Sequence, residues 1–265
     1  VKKQIYRDPQ YYFDPPYGGR AYSQFYNLRY GVTDRSAYQM TPLLQSDYSK
    51  LCLGWNIGTS SSLARSPSEY RFLGKLKRRI LLEMNAMVEQ TWHLPDGLSA
   101  KSPSHARPND ILAVLGTNYA RASVSFQREL LLSKLREKVR DTSIIGGRLS
   151  PVEFHRHMTR SKLVISAFGW GEVCFREFEA TWAGAAFAMP DMSIIETWPN
   201  IYTPGETYIA LPWDFETVNE ILDDALMRPQ ELVAMAETAQ QRLLAMRKRE
   251  QLEIFAQKFR QICEV

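Results

Sequence analysis

The sequence predicts an α/β protein: a Rossmann-like parallel sheet with helices on both faces over residues 108–265, preceded by a partial or reduced N-terminal domain over residues 1–107. Three observations predict it. Beyond residue 110, short apolar runs alternate with amphipathic stretches across short links, which is the pattern of βαβ units. The runs are almost continuously apolar, as strands covered on both faces are. The first and third of them pass into glycine loops, at the carboxyl ends where open α/β sheets bind ligands.

The first 107 residues are irregular. YRDPQYYFDPPYGGRAYSQFYNLRYG is crowded with Tyr, Pro and Gly, and DPPYGG (14–19) is a turn signal. LCLGWNIG (51–58) reads as a short strand ending in a Gly/Asn turn. Apolar residues at Phe72, Leu73, Leu76, Ile80, Leu81, Met84 and Met87 predict a helix over 67–90. The polar, Pro- and Ser-rich stretch 94–110 is the best domain boundary. From there ILAVLG (111–116) is the first strand of the sheet and 123–139 an amphipathic helix. DTSIIGG (141–147) is the second strand, and Ser150 and Pro151 open a short helix as N-cap and first position. KLVISAF (162–168) is the third strand. GAAFAMP (184–190) and TYIALP (207–212) are further strands, Asp214 is a cap-like start to the following helix, and the last helices span 229–264.

Composition bounds the function only loosely. The chain has 265 residues, 45% hydrophobic and 23% charged, with a net charge of +4, ordinary for a globular protein and compatible with a phosphate-bearing ligand. Cys52, Cys174 and Cys263 have no metal spacing and read as reduced thiols of a cytosolic protein. No apolar run reaches the length of a membrane span, and no signal peptide opens the chain. Val1 is not an initiator, so the sequence is expected to begin inside a longer N-terminal domain. The basic runs 75–79 and 247–250 fall in amphipathic helices and read as solvated faces, so no nucleic-acid partner is expected. His155 and His157 are two apart and do not share a helix face, and neither a GxSxG elbow nor a Walker lysine is present.

The most informative stretch is SKLVISAFGWGEVCFREFEATWAGAA (161–186). It reads as a buried strand, a glycine-bracketed turn and a helix carrying Arg176 and Glu179. Gly169 and Gly171, on either side of Trp170, let the backbone approach an anion, and the following helix start favours negative charge. Arg176 adds a fork of donors suited to phosphate oxygens, and Glu179, three residues on, can accept from ribose hydroxyls. Glu172 and Glu177 read as solvated or capping charges. Together these residues describe a site for a phosphorylated nucleoside.

The order Gly169, Trp170, Gly171, Phe175, Arg176, Glu179, Ala180 and Gly184 resembles the donor-binding segment of exostosin-like and related GT-B glycosyltransferases. The likeness extends over residues 108–265. It implies a GT-B fold and transfer of a sugar from a nucleotide-sugar donor to a glycan or other hydroxyl acceptor. No cofactor is implied, and the lack of an Asp-x-Asp triplet points to a metal-independent site. In such domains the loop after the first strand turns a glycine and a basic residue toward the diphosphate, which here implies Gly116, Thr117 and Arg121. The nucleobase would lie near Gly147 and Arg148. Retaining members with two glutamates eight apart are not matched, since the first position is Gly171 here. The catalytic base is not identified, and a peripheral membrane surface or a protein is a further candidate partner. Two alternatives stay open: a non-catalytic nucleotide-sugar-binding domain acting in an assembly, and a nucleotide-sugar epimerase.

Overall fold

A computed structural model describes residues 2, 4–13, 20–35, 42–54, 100–138, 140–146, 149–198, 200–245 and 249–263. The turn expected at 14–19, the helix over 67–90 and the pair Gly147/Arg148 lie outside the described residues.

Five short strands form one parallel sheet: β2 (Asn109–Ala113), β3 (Ile144–Ile145), β4 (Ser161–Ile165), β5 (Ala186–Pro190) and β7 (Ile209–Leu211), in the order β3-β2-β4-β5-β7. The register pairs Leu112 with Ile144, Ile111 with Leu163, Leu163 with Ala186, and Ala188 with Ile209. The intervening helices are α3 (Ala122–Arg136), α4 (Pro151–Met158), α5 (Phe175–Trp182), α6 (Val218–Leu226), α7 (Pro229–Ala245) and α8 (Arg249–Cys263). A small antiparallel ribbon pairs β1 (Gln4–Tyr6) with β6 (Ile195–Thr197), and α1 (Gln10–Phe13) and α2 (Ala21–Tyr30) complete the amino-terminal part.

Side chains alternate across a strand, so the strand residues divide into two cores. Ile111, Ala113, Leu163, Ile165, Ala186 and Ala188 bury against Leu131 and Leu135 of α3, Val218 and Leu222 of α6, and Leu232 of α7. Leu112, Val164, Phe187 and Met189 face the other way, toward Phe178 and Trp182 of α5 and Tyr22 and Tyr26 of α2. Tyr22 and Tyr26 are fully buried, each worth roughly 1.5–3 kcal/mol of apolar burial, so the described part of the amino-terminal region packs on the same sheet. Their hydroxyls are satisfied by the carbonyls of Gly169 at 3.2 Å and Trp213 at 2.6 Å.

Local chemistry accounts for several boundaries. Ser150 caps α4 reciprocally with Glu153: its hydroxyl accepts from the Glu153 N–H at 3.3 Å, and its own N–H donates to the Glu153 carboxylate at 3.0 Å. Asp214 does not cap α6, whose N-cap is Thr217. The Asp214 carboxylate instead accepts from the N–H of Glu216 at 3.2 Å, two residues on, which is an Asx turn before the helix. Leu51–Gly54 form no strand, although Leu53 bridges Lys2.

Gly184 ends α5 in the left-handed region, with φ at +70°. Its N–H donates to Thr181 O and the next N–H reaches back to Ala180 O, both at 3.0 Å. A Cβ there would lie 2.3 Å from the Lys101 carbonyl oxygen and 2.8 Å from Arg107 Nη2. Gly184→Ala is therefore expected to cost at least about 2 kcal/mol, from the left-handed backbone and the backbone clash together. A urea unfolding midpoint unchanged in the variant would contradict this.

The topology places the site. The connection after β2 leads to β3 on one side of the sheet, and that after β4 leads to β5 on the other. Between the carboxyl ends of β2 and β4 the chain therefore departs in opposite directions, a topological switch point of the kind at which open α/β sheets form a crevice.

Candidate functional site

The crevice is framed by residues 114–121 after β2 and 166–174 after β4. The strand expected over 162–168 stops at Ile165, because the next polar groups turn to side chains. Phe168 N–H donates to Gln127 Oε1 at 2.8 Å, and the carbonyls of Ala167 and Phe168 accept from Arg128. The Gly169 N–H donates to Gly171 O at 2.9 Å, closing a tight turn with Trp170 at its tip. Gly169 and Gly171 are buried, whereas Trp170 is 52% exposed. A Cβ on Gly169 would sit 3.2 Å from Cys174 Sγ, closer than ordinary contact, so the glycine lets the turn close on Cys174.

Two carboxylates read from sequence as solvated or capping charges are buried. Glu172 accepts from Gln4 Nε2, from the Tyr6 hydroxyl and, at 3.2 Å, from Arg20 Nη1. It pins the turn to β1 and to the residue preceding α2. Glu177 does cap α5, accepting from the Cys174 N–H at 2.8 Å, but from a fully buried position where Ser166 Oγ and, at 3.4 Å, the Tyr202 hydroxyl also donate to it. Burial pushes the Glu177 carboxyl up to about 7 against these hydrogen bonds.

The neighbouring helix start is filled in the same way. Asp34, buried, accepts from the Ser123 N–H at 2.8 Å, from Ser123 Oγ at 2.7 Å and from Ser23 Oγ at 3.0 Å. Both helices that begin at the crevice thus hold one of the protein's own carboxylates. Just before α5, the N–H groups of Val173 and Cys174 donate to Gln4 Oε1 at 3.1 Å and to Glu177 at 2.8 Å.

Two guanidinium groups lie beside these helix starts. Arg176 reaches across to β2, donating to Val114 O at 3.0 Å with its guanidinium 5.4 Å from the Phe154 ring centroid. Arg128, buried, donates to Phe168 O at 2.9 Å, Gly116 O at 3.1 Å and the Tyr119 hydroxyl at 3.0 Å. Burial lowers the Arg176 pKa, and the positive charge of Arg128 lowers it further. Their hydrogen-bond acceptors are all neutral, and among the described residues neither is within 4.0 Å of a carboxylate. Two neighbouring cations held this way have a strong attraction for an anion.

The other residues expected at the site fall around this pair. Gly116 is exposed, with open space where a Cβ would stand, and Thr117 beside it is half-buried. Arg121 is the N-cap residue of α3, buried, with its guanidinium 5.6 Å from the Trp170 ring centroid. Glu179 is partly buried and its negative charge acts on His155 of α4, whose pKa burial lowers. The structure thus brings Gly116, Thr117, Arg121, Gly169, Trp170, Gly171 and Arg176 to the ends of two adjacent strands or the loops that follow them, whereas Glu179 lies further along α5, beside His155. Among the described residues no group of three His, Cys, Asp or Glu side chains is arranged to hold a metal ion, and no helix is long and apolar enough to cross a membrane.

Arg128 is not among the residues the sequence places at the site, yet a signal for it exists. It falls on the buried stripe of α3 with Val124, Leu131 and Leu135, at helical spacing. An arginine in such a stripe must find buried acceptors. Compared with models of known protein families and with curated proteins, the chain matches none.

Proposed function

We propose that the crevice between β2 and β4 holds the diphosphate of a nucleotide-sugar, and that the chain is the donor-binding part of a GT-B type glycosyltransferase. The observation that carries this reading is the Arg128–Arg176 pair, two adjacent cations bonded only to neutral acceptors at a switch point of a parallel sheet. The resemblance of GWGEVCFREFEATWAGA to exostosin-like donor segments supports it. In the reaction an acceptor hydroxyl oxygen bonds to the anomeric carbon as the bond from that carbon to the diphosphate breaks. The nucleoside diphosphate leaves with the electron pair, and the acceptor proton passes to a base. Negative charge grows on the leaving diphosphate, where Arg176 and Arg128 stabilise it in a partly dehydrated crevice. Glu179 accepts from the ribose hydroxyls.

Isothermal titration with UDP, GDP, ADP and CMP tests this. One nucleotide is expected to bind in the micromolar range, and Glu179→Ala to weaken it about 10- to 100-fold, the cost of a hydrogen bond to a charged group. If none binds to folded protein, the donor site is refuted.

A second reading, a nucleotide-sugar-binding domain without transferase activity, is favoured by one observation. Glu172 and Glu177, the carboxylates nearest the turn, are both buried in hydrogen bonds of their own, which leaves them unsuited to take an acceptor proton. A bound donor that is never consumed in the presence of acceptors would select this second reading.

A further inference from the structure

The amino-terminal end of the sheet carries a cleft of its own. Lys162 and Ala186 stand at the starts of β4 and β5, and with Gly184, Arg107, Leu232 and Ala236 they line a space of about 170 Å³. The strands are parallel, so this cleft and the loops after β2 and β4 lie at opposite ends of the sheet. Gly184, Ala186 and Ala236 carry at most a methyl group, and the first turns of α7 therefore meet the start of β5 without side chains to fill the corner. The volume is below the roughly 300–1,000 Å³ of sites for drug-sized ligands. It matches a single ring or a short branched chain, since an apolar cavity of roughly 150 Å³ takes up benzene.

The lining has two kinds of surface. Most of it is apolar, and its ionisable side chains are His105, Arg107 and Lys162, with no Asp or Glu beside them. The Arg107 guanidinium donates to the carbonyls of Met158, Thr159 and Ser161 at 3.0–3.3 Å, of Ala183 at 2.6 Å and of Ser102 at 3.4 Å. These contacts hold the carboxyl ends of α4 and α5, where a cation is favoured. All five acceptors are neutral, and among the described residues no carboxylate lies within 4.0 Å of Arg107. Burial lowers its pKa only to about 10, so it stays a cation at neutral pH. Lys162 is held by Asp110 Oδ1 at 2.6 Å and keeps two further N–H donors, while His105 is exposed. An apolar cleft whose charged lining is entirely basic, with one cation left unneutralised, suits a ligand that joins an apolar body to a single negative charge.

We infer that this cleft binds a small monocarboxylate with a compact apolar body, an aryl or short branched-chain acid. The test is methyl NMR of the full chain with carbon-13 in its Leu and Val methyl groups. Val233 also lines the cleft, from a half-buried position on α7, and Val233→Ile identifies its resonances. Benzoate, 3-phenylpropanoate and 3-methylbutanoate are each titrated to about 10 mM beside the corresponding neutral amide. At least one carboxylate is expected to move the Val233 signals with a Kd of about 0.1–1 mM, the range open to a ligand of about ten heavy atoms. Its amide should bind at least tenfold more weakly. Val233→Phe, which fills the cleft, should weaken the carboxylate at least tenfold. His105→Glu, a change at an exposed position that leaves folding intact, should weaken the carboxylate several-fold and leave the amide unaffected. Signals that respond to none of the three carboxylates overturn the proposal, as do amides that bind equally well. Carboxylate affinity unchanged in His105→Glu, or retained in folded Val233→Phe, overturns it too. The result is independent of the donor reading, which the nucleotide titration tests at the other end of the sheet.

Discussion

Arg128→Ala is expected to lower the melting temperature by roughly 10 °C, the largest effect of any single substitution at the crevice. The side chain is buried on the sheet-facing stripe of α3 and binds three backbone carbonyls, those of Phe168, Gly116 and Ala167, and the Tyr119 hydroxyl, with its guanidinium 4.6 Å from the Tyr119 ring centroid. Truncation removes the donors, strands the buried carbonyl of Phe168 and leaves that of Ala167 with only the weak Cys174 thiol donor at 3.8 Å. Each buried acceptor left alone costs about 1–3 kcal/mol, and the cavity adds to this, for a total of about 3–5 kcal/mol. Arg128→Met, which keeps the stem, separates the two causes. If lost hydrogen bonds dominate, it is nearly as unstable as Arg128→Ala; if the cavity dominates, it recovers most of the loss. A melting temperature within 2 °C of the parent in both variants would show that the guanidinium does not hold the two loops together. Because those loops frame the crevice, nucleotide binding should fail in both variants even at temperatures where they remain folded.

The same residue shows what a single sequence can and cannot disclose. The alternation of strands and helices from residue 110 onward was legible because each element carries its own periodic pattern. The cap at Ser150 and the turn at Gly169–Gly171 were legible because their chemistry is local. The amino-terminal part was not. α2, AYSQFYNLRY, buries tyrosines rather than aliphatic residues, and β1 is three residues long, too short for a period to register. The asymmetry is sharper within the site. Glu172 sits between Gly171 and Val173 with nothing nearby to mark it as buried, since its partners Gln4, Tyr6 and Arg20 lie 168, 166 and 152 residues away in the chain. Asp34 likewise caps a helix 89 residues further on. Sequence assigned anion binding to the start of a helix whose N–H group at Cys174 is held by Glu177, three residues on, and the neighbouring helix start is held by the distant Asp34. The cations Arg128 and Arg176 reach the same loops through neutral acceptors far from them in the chain.

Glu177 ties the stability of this arrangement to pH. Its carboxyl titrates at about 7 in the folded chain, against about 4.3 when unfolded, because burial penalises the charged form more than Ser166, Cys174 N–H and the cation of Arg176 favour it. The folded state therefore binds the proton more tightly than the unfolded state. The contribution of this group is fully present below about pH 4.3 and is lost as pH rises through 7. Its size is on the order of 3 kcal/mol. Other groups run the opposite way: the lowered pKa values of Asp110 and Asp223 make stability rise with pH in the acid range, and the lowered pKa of His155 does so somewhat higher. The parent's own profile mixes these slopes, so the informative quantity is the difference from Glu177→Gln. Glutamine can accept the Cys174 N–H with its carbonyl and donate to Ser166 Oγ with its amide, keeping the cap while staying neutral. The variant should match the parent near pH 4.5 and exceed it by on the order of 1–3 kcal/mol at pH 8. A difference that does not change between these pH values would mean that Glu177 ionises normally in the folded chain. The site should feel the same proton, since Glu177 lies beside Arg176 in the chain and its ionisation adds a negative charge next to the proposed diphosphate position. Affinity for a UDP-sugar, whose diphosphate diester keeps one charge state from pH 6 to 8, is expected to fall across that range in the parent and stay level in Glu177→Gln.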